Sequence, residues 1–291
     1  QKSMTHVKFA LNTARQSLKK SIWFYDTRLH EDEILENYVE SHMATALERE
    51  EFHMYLQPKV DLGTGKVCGA EALVRWIPED GKMIYPGQFI PVFESNGFCA
   101  ELDMYMVEKV CAQIRSWIDQ GKKPLPLSVN QSKLLFYEAD YIDKLKALLE
   151  KYRVPASLIT LEILEGLAME NIEELNERIA RLTRMGFRIS MDDFGSGYSS
   201  LNTLASLKIN ELKIDREFLL RLQNPKEDYR RQLIIMNKVV ELTKDLQIQT
   251  VVEGVETEED EGLVREMGCG QGQGYYYSRP VSAEKFAEIY V

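Results

Sequence analysis

The run Ser190-Met191-Asp192-Asp193-Phe194-Gly195-Ser196-Gly197-Tyr198-Ser199-Ser200-Leu201 ends an apolar alternation in two adjacent carboxylates. Phe187, Ile189 and Met191, interleaved with Arg188 and Ser190, read as a short strand. Two glycines two apart then allow a sharp turn, and the serine pair suits a helix start. Adjacent aspartates in a regular strand point to opposite faces. At a frayed strand end before glycine, both can reach one place, where like charges call for a compensating cation. The plainer reading of the run alone is a turn with solvated acids.

Other strand ends decide between the two readings. Apolar runs finish at Glu71, Asn130, Glu162, Lys213 with Asp215, Glu253 and Gln273. Glu71, Asn130, Glu162 and Asp192 together are an oxygen shell for a hard cation. Asp192 and Asp193 can bridge to a second, and two such ions about 3.5–4 Å apart clamp a phosphoryl group for attack by water. Lys213 offers positive charge to a developing oxyanion. Glu253 can take the proton of the attacking water. All four histidines (His6, His30, His42, His53) lie in the first fifth of the chain, so a histidine-based centre on the later strands is excluded. No Ser/His or Cys/His pair offers a nucleophile.

The elements that must bring these groups together follow a βαβ rhythm. Strands are expected near 53–58, 66–74, 125–130, 158–163, 187–192, 209–214, 248–253 and 269–275. Helices are expected near 101–120, 138–152, 171–185, 227–246, 257–267 and 282–289. Gly63-Thr64-Gly65 is too tight a link for a helix, so the first two strands should form an antiparallel hairpin. The expected fold is α/β, a TIM-like (β/α)8 barrel with one antiparallel strand, preceded by a short helical connector. No GxGxxG follows the first strand, which weighs against a dinucleotide fold. In residues 1–50, Val7, Ala10, Leu11 and Ala14 keep helical spacing, and Ile22-Trp23-Phe24-Tyr25 reads as a strand. Ile34, Leu35, Tyr38, Val39, Met43, Ala46 and Leu47 mark an amphipathic helix after an acidic cap near Asp32.

The 291 residues carry a net charge of −10, which disfavours a surface that coats DNA or RNA. An anionic ligand then needs local cations or metals. No apolar run has the ~20 residues of a membrane span, and no signal peptide is apparent. Cys68, Cys99, Cys111 and Cys269 are scattered, as in a reduced protein. The chain starts at Gln1, which reads as a piece of a longer protein.

Glu71-Ala72-Leu73-Val74-Arg75-Trp76 resembles the name motif of the EAL domains, the cyclic di-GMP phosphodiesterases of bacterial signalling. The resemblance takes in Gln57-Pro58, Ser128-Val129-Asn130-Gln131-Ser132, Leu161-Glu162-Ile163-Leu164-Glu165 and the Asp192–Leu201 loop. It continues through Leu212-Lys213-Ile214-Asp215, Val252-Glu253-Gly254-Val255-Glu256-Thr257, Gln273-Gly274-Tyr275 and Pro280. It covers residues 45–291; residues 1–44 resemble the tail of an upstream GGDEF-like module and its connector.

The resemblance implies hydrolysis of one phosphodiester of cyclic di-GMP to linear pGpG with two Mg²⁺ or Mn²⁺ ions, Ca²⁺ being inhibitory. It assigns Glu71, Asn130, Glu162 and Asp192 to the first metal, and Asp192 and Asp193, with Glu253, to the second. Lys213 would contact the nucleophilic water, with Glu253 the general base. Gln57, Leu73, Arg75, Asp215 and Gln273 would line the nucleotide, and Glu165 and Glu256 would order the loop after Asp193. It further implies a homodimer, an upstream regulatory module and a cytoplasmic location. Two positions depart from the family pattern: Leu164 stands where threonine is usual, and Ser196 where threonine is commoner. The alternatives are a cyclic di-GMP receptor with weak or no turnover, and a protein-interaction module on the same fold.

Overall fold

The computed structural model describes residues 27–169, 171–195, 201–223 and 229–291. The helix expected around Val7–Ala14, the strand at Ile22–Tyr25 and the loop position Ser196 lie outside these residues. The described chain forms two compact units. One comprises the described residues up to His53 with Arg75–Phe98, the other Met54–Val74 with Cys99–Val291.

In the smaller unit, α1 (Thr27–Glu48) buries Val39 and Ala46, seven residues apart on one face. It begins upstream of the cap expected near Asp32, and Ile34, expected on the apolar stripe, is 55 % exposed. α2 (Pro86–Asn96) was not anticipated, because it carries Pro86 and an interior Pro91. Pro86 occupies the first turn, where its missing N–H costs nothing, and Gly97 closes the helix in the left-handed conformation. Phe89 and Phe93 of α2 join Phe52, Trp76 and Phe98 in an aromatic cluster. Trp76 Nε1 donates to Glu51 at 2.9 Å.

The larger unit is the barrel. Its strands are β1 (Phe52–Asp61), β2 (Val67–Trp76), β3 (Leu127–Gln131) and β4 (Ile159–Leu164), of which Phe52 and His53 in β1 and Arg75 and Trp76 in β2 are counted with the smaller unit. β5 (Arg188–Phe194), β6 (Glu211–Ile214), β7 (Gln249–Val252) and β8 (Gln271–Gly272) complete it. Successive strands from β2 to β8 pair in parallel. β1 runs antiparallel to β8, with Val60 opposite Gly272, and also pairs with β2, so eight strands close a ring. A ninth strand, β9 (Val281–Ser282), pairs antiparallel with β1 outside that ring. The β1–β2 link is tight because Asp61 Oδ1 accepts from both the N–H and the hydroxyl of Thr64 at 2.7 Å.

Helices α3 (Cys99–Asp119), α5 (Tyr141–Tyr152), α6 (Ile172–Arg184), α9 (Tyr229–Asp245), α10 (Glu258–Glu266) and α11 (Ala283–Tyr290) fall where expected. Two short helices, α4 (Lys133–Phe136) and α8 (Glu217–Gln223), are too short to show periodicity, while α7 (Leu201–Ser206) lies where the serine pair suggests a helix start. Strand faces turned towards the helices supply apolar core such as Leu127, Val129, Leu161, Ile189 and Leu212, all buried. No helix among the described residues is long and apolar enough to cross a membrane.

Candidate active site

The parallel strands end on one face of the barrel, the place where such folds build their sites. Lys213, near the end of β6, is 1 % exposed and holds four carboxylates at once. Its Nζ lies 3.2 Å from Glu71 Oε2, 2.9 Å from Glu162 Oε2, 3.0 Å from Asp192 Oδ2 and 2.7 Å from Glu253 Oε1. A buried ammonium is costly unless paired, and these partners hold Lys213 firmly charged, well above the usual lysine range, although burial opposes it.

Each acid is fixed by its own strand. Glu71, from β2, accepts from Asn130 Nδ2 at 3.1 Å and from Gln273 Nε2 at 2.6 Å. Gln273 also reaches Gln57 Oε1 at 3.2 Å, and Gln57 Nε2 donates to the Ser278 carbonyl at 3.3 Å. Asn130 and Glu162 are register partners on β3 and β4, and Leu164 is opposite Asp192 on β5.

The aspartate pair solves its facing problem by leaving the regular strand. Asp193 has φ 60°, a left-handed conformation that costs an L-residue roughly 1–2 kcal/mol. The β5–β6 register shifts between Met191 and Phe194, across the same residue. The Asp193 N–H donates to Asp192 Oδ1 at 2.9 Å. Gly195 follows with φ 99°, and a Cβ there would lie 1.7 Å from the Phe218 ring, so only glycine fits.

Two sets of oxygens result. Glu71, Glu162 and Asp192 each offer one within 4.8 Å of the others, and Asp192, Asp193 and Glu253 do the same. Asp192 belongs to both. Burial pushes Asp192 up to about 7, Lys213 opposing and Glu162, Glu253 and Asp193 adding to the rise. Burial likewise raises Glu71, Asp193 and Glu253. Glu162 goes the other way, to about 2: burial works against its charge, but Lys213 and Lys59 together outweigh it. The donor set fits hard divalent cations. Six carboxylates (Glu71, Glu162, Asp192, Asp193, Glu211, Glu253) gather around two ammonium groups (Lys59, Lys213), a formal excess of four negative charges if all ionise. That is the charge of two divalent ions, and every donor is a hard oxygen or an amide.

A cavity of about 310 Å³ opens above this cluster. Of the residues singled out by sequence, Gln57, Glu71, Leu73, Asp192, Lys213, Glu253, Glu256 and Gln273 line it. Gln273 Oε1 is buried in its wall with no hydrogen-bond partner among the described residues, an acceptor left over for a ligand. Asp215 stays out of the lining: its Oδ1 caps the N–H of Glu217 at 2.8 Å, and its charge contributes to the rise at Asp193. Arg75 is half-buried and belongs to the smaller unit. Glu165 is buried at the start of the 3₁₀ turn Glu165–Met169. Glu256 is exposed, its N–H donating to Asp260 Oδ2. Leu164 is 41 % exposed.

Sequence reasoning missed four residues here. Arg216 and Tyr275 also line the cavity, and the Arg279 guanidinium lies 4.3 Å from the centre of the Tyr275 ring. Both follow residues already singled out, Asp215 and Gln273-Gly274, which is the signal that could have found them. Lys59 and Glu211 sit one step deeper. Each lies two residues from a site residue on its own strand, Gln57 and Lys213, and so shares its face.

Comparison with known proteins gives a consistent result. The family described as "EAL domain" matches residues 40–280. The signaling protein YkoW of Bacillus subtilis is 32 % identical over 289 residues, 99 % of this chain and 35 % of that protein. MucR of Pseudomonas aeruginosa, named a bifunctional diguanylate cyclase/cyclic di-GMP phosphodiesterase, is 36 % identical over 240 residues, 82 % of this chain and 34 % of that protein. The chain thus spans about a third of the length of these curated relatives. A solved structure described as the PaMucR phosphodiesterase in complex with c-di-GMP superposes with a TM-score of 0.79 at 34 % identity, covering 86 % of this chain and 99 % of that one.

Proposed function

The chain belongs to the EAL domain family, and on that premise we propose that it is a metal-dependent phosphodiesterase that opens cyclic di-GMP to linear 5′-pGpG. The observation that carries this reading is the pair of oxygen sets sharing Asp192 around one buried lysine at the floor of a cavity.

Glu71, Asn130, Glu162 and Asp192 would hold one Mg²⁺ or Mn²⁺, and Asp192, Asp193 and Glu253 the other. When bound, such ions supply positive charge against the phosphodiester and make water more acidic. The chain's own groups do the rest. Lys213 contacts the attacking water and keeps the surrounding carboxylates in place. Glu253, the least buried of its partners at 22 % side-chain exposure, faces the cavity and takes the water's proton as oxygen attacks phosphorus. The P–O3′ bond breaks, the departing 3′ oxygen takes a proton from solvent to become a hydroxyl, and Glu253 returns its proton to solvent. Gln57, Leu73, Arg75, Asp215 and Gln273 are assigned to the nucleotide, and Glu165 and Glu256 to ordering the loop after Asp193.

We further assign residues 45–291 to the phosphodiesterase barrel and residues 1–44 to a connector or the tail of an upstream GGDEF-like module. The working unit is taken to be a cytoplasmic homodimer under the control of that module, inhibited by Ca²⁺.

The test is incubation of the chain with cyclic di-GMP and Mn²⁺ or Mg²⁺, with products separated by chromatography and Glu71→Ala beside it. Appearance of pGpG with the parent chain alone supports the enzyme. Binding without product would instead favour a cyclic di-GMP receptor. The reason to keep that second reading is Leu164, which puts an exposed apolar side chain where the family usually has a hydroxyl, opposite Asp192 in the sheet.

A further inference from the structure

Beneath the carboxylates lies a second inward layer that is also polar. Stepping two residues from Gln57, Asn130, Glu162, Asp192 and Lys213 towards the barrel interior gives Lys59, Ser128, Thr160, Ser190 and Glu211. All five are buried. Barrels ordinarily fill such a layer with Val, Ile and Leu. A buried charge in its place is expensive, so its contacts should have a use.

The contacts converge on Lys59. Its Nζ lies 2.8 Å from Glu162 Oε1, 2.9 Å from Glu211 Oε1 and 2.7 Å from Ser128 Oγ. Each oxygen of Glu162 therefore has its own lysine: Oε1 points down to Lys59, and Oε2 points up to Lys213. Glu162 is nearly inaccessible, yet it is one of the three acids of the first oxygen set. The antiparallel direction of β1 makes this possible. Running against its neighbours, β1 brings Gln57 to the mouth and sends Lys59 down into the interior.

We propose that Lys59 is a positioning residue for the metal site: it holds Glu162 by one oxygen, so that only the other is presented to a divalent cation, and Glu211 is the counter-charge that keeps Lys59 in place. The inference rests on reading the upper layer as a metal site. Lys59 touches neither substrate nor cation. Its effect is on how strongly and in what orientation Glu162 binds the ion, as outer partners of metal ligands do elsewhere.

The experiment compares Mn²⁺ binding to the metal-free parent chain, the double variant Lys59→Met/Glu211→Met and the single variant Glu211→Gln. Binding is read by calorimetry and by electron paramagnetic resonance of free Mn²⁺, with circular dichroism melting of each metal-free protein. The double variant removes both charges together and so leaves neither buried alone. A folded double variant that binds Mn²⁺ about tenfold or more weakly is the expected result. Glu211→Gln, close in shape, lets Lys59 draw harder on Glu162 and should weaken Mn²⁺ about threefold or more. A merely structural ion pair would move the melting temperature and leave the dissociation constant alone. Mn²⁺ affinity within twofold of the parent in a folded double variant overturns the proposal. Should the double variant not fold, parent-like affinity in Glu211→Gln overturns it equally. A parent chain that takes up no Mn²⁺ overturns the metal reading itself and this inference with it.

Discussion

Lys213 Nζ stands 2.7 Å from Glu253 Oε1, the shortest of its four ion pairs. The group assigned to orient water and the group assigned to accept its proton are therefore already in contact. If Glu253 is the base, Glu253→Gln keeps the shape and loses the acceptor. It should lower kcat by about 10²–10⁴-fold with little change in KM. Steady-state kinetics decide this, and a kcat within tenfold of the parent would place the base elsewhere.

Lys213→Met should be informative without substrate. Removing the ammonium leaves Glu71, Glu162 and Asp192 facing one another in the interior. Breaking a buried pair by deleting one partner costs about 3–5 kcal/mol. Divalent cations replace the missing charge, so Mg²⁺ should raise the melting temperature of this variant more than that of the parent. An equal or smaller rise would argue that the cations bind away from Lys213.

Proton release should accompany metal uptake. Asp192 is pushed up to about 7, so without metal it holds its proton through mildly acidic pH. The folded pKa lies above the unfolded one. The stability this group contributes is thus fully present below about pH 4 and is lost as pH rises through about 7. A cation binds only the ionised form, so its affinity should climb between pH 5.5 and 7 and flatten above. Calorimetry in buffers of different ionisation enthalpy reads the released protons directly. An affinity flat across that range would contradict the assignment.

Gly195→Ala should disturb the site from outside it. The added methyl meets the Phe218 ring and must also adopt φ 99°. Such a substitution costs at least about 1–3 kcal/mol, and relief has to come from the turn that sets Asp193. Urea unfolding should show the loss, and turnover should fall further than stability alone explains. Unchanged turnover in a destabilised but folded variant would show that the turn does not govern Asp193.

Most of the barrel and of its mouth was legible because strand ends are punctuated by polarity. Asp192 and Glu253 close apolar runs, Glu71, Glu162 and Lys213 interrupt them, and all five arrive in one cluster. What was hidden obeys other physics. Lys59 reads as one more polar residue in a half-buried strand, and only the reversed direction of β1 places it beneath Glu162 and not above it. Asp193 reaches the site through a backbone conformation that composition does not announce. Asp215 also accepts from the Glu217 N–H at the start of α8, a capping contact that its strand-end position does not announce. The last strand, expected over seven residues, shortens to Gln271–Gly272. Beyond it the chain closes on Val255, whose carbonyl would lie 2.1 Å from a Cβ at Gly274.

Ring closure joins the two ends of the larger unit. Gln273 donates to Gln57, 216 positions away, and to Glu71, and Val60 pairs with Gly272. Contacts so distant along the chain form late, because the intervening loop must be closed first. During synthesis, Gln273, the second of the two amides that steady Glu71, emerges only after every other member of the cluster. The half-made polypeptide therefore holds a crowd of closely set acids and an open sheet edge at β1, which has β2 beside it and still lacks β8. Such a chain is exposed to mispairing until its final strand arrives. Completion of the site and escape from aggregation are thus gained in one late event, the docking of Gln271–Gly272 and Val281–Ser282 onto the strand made first.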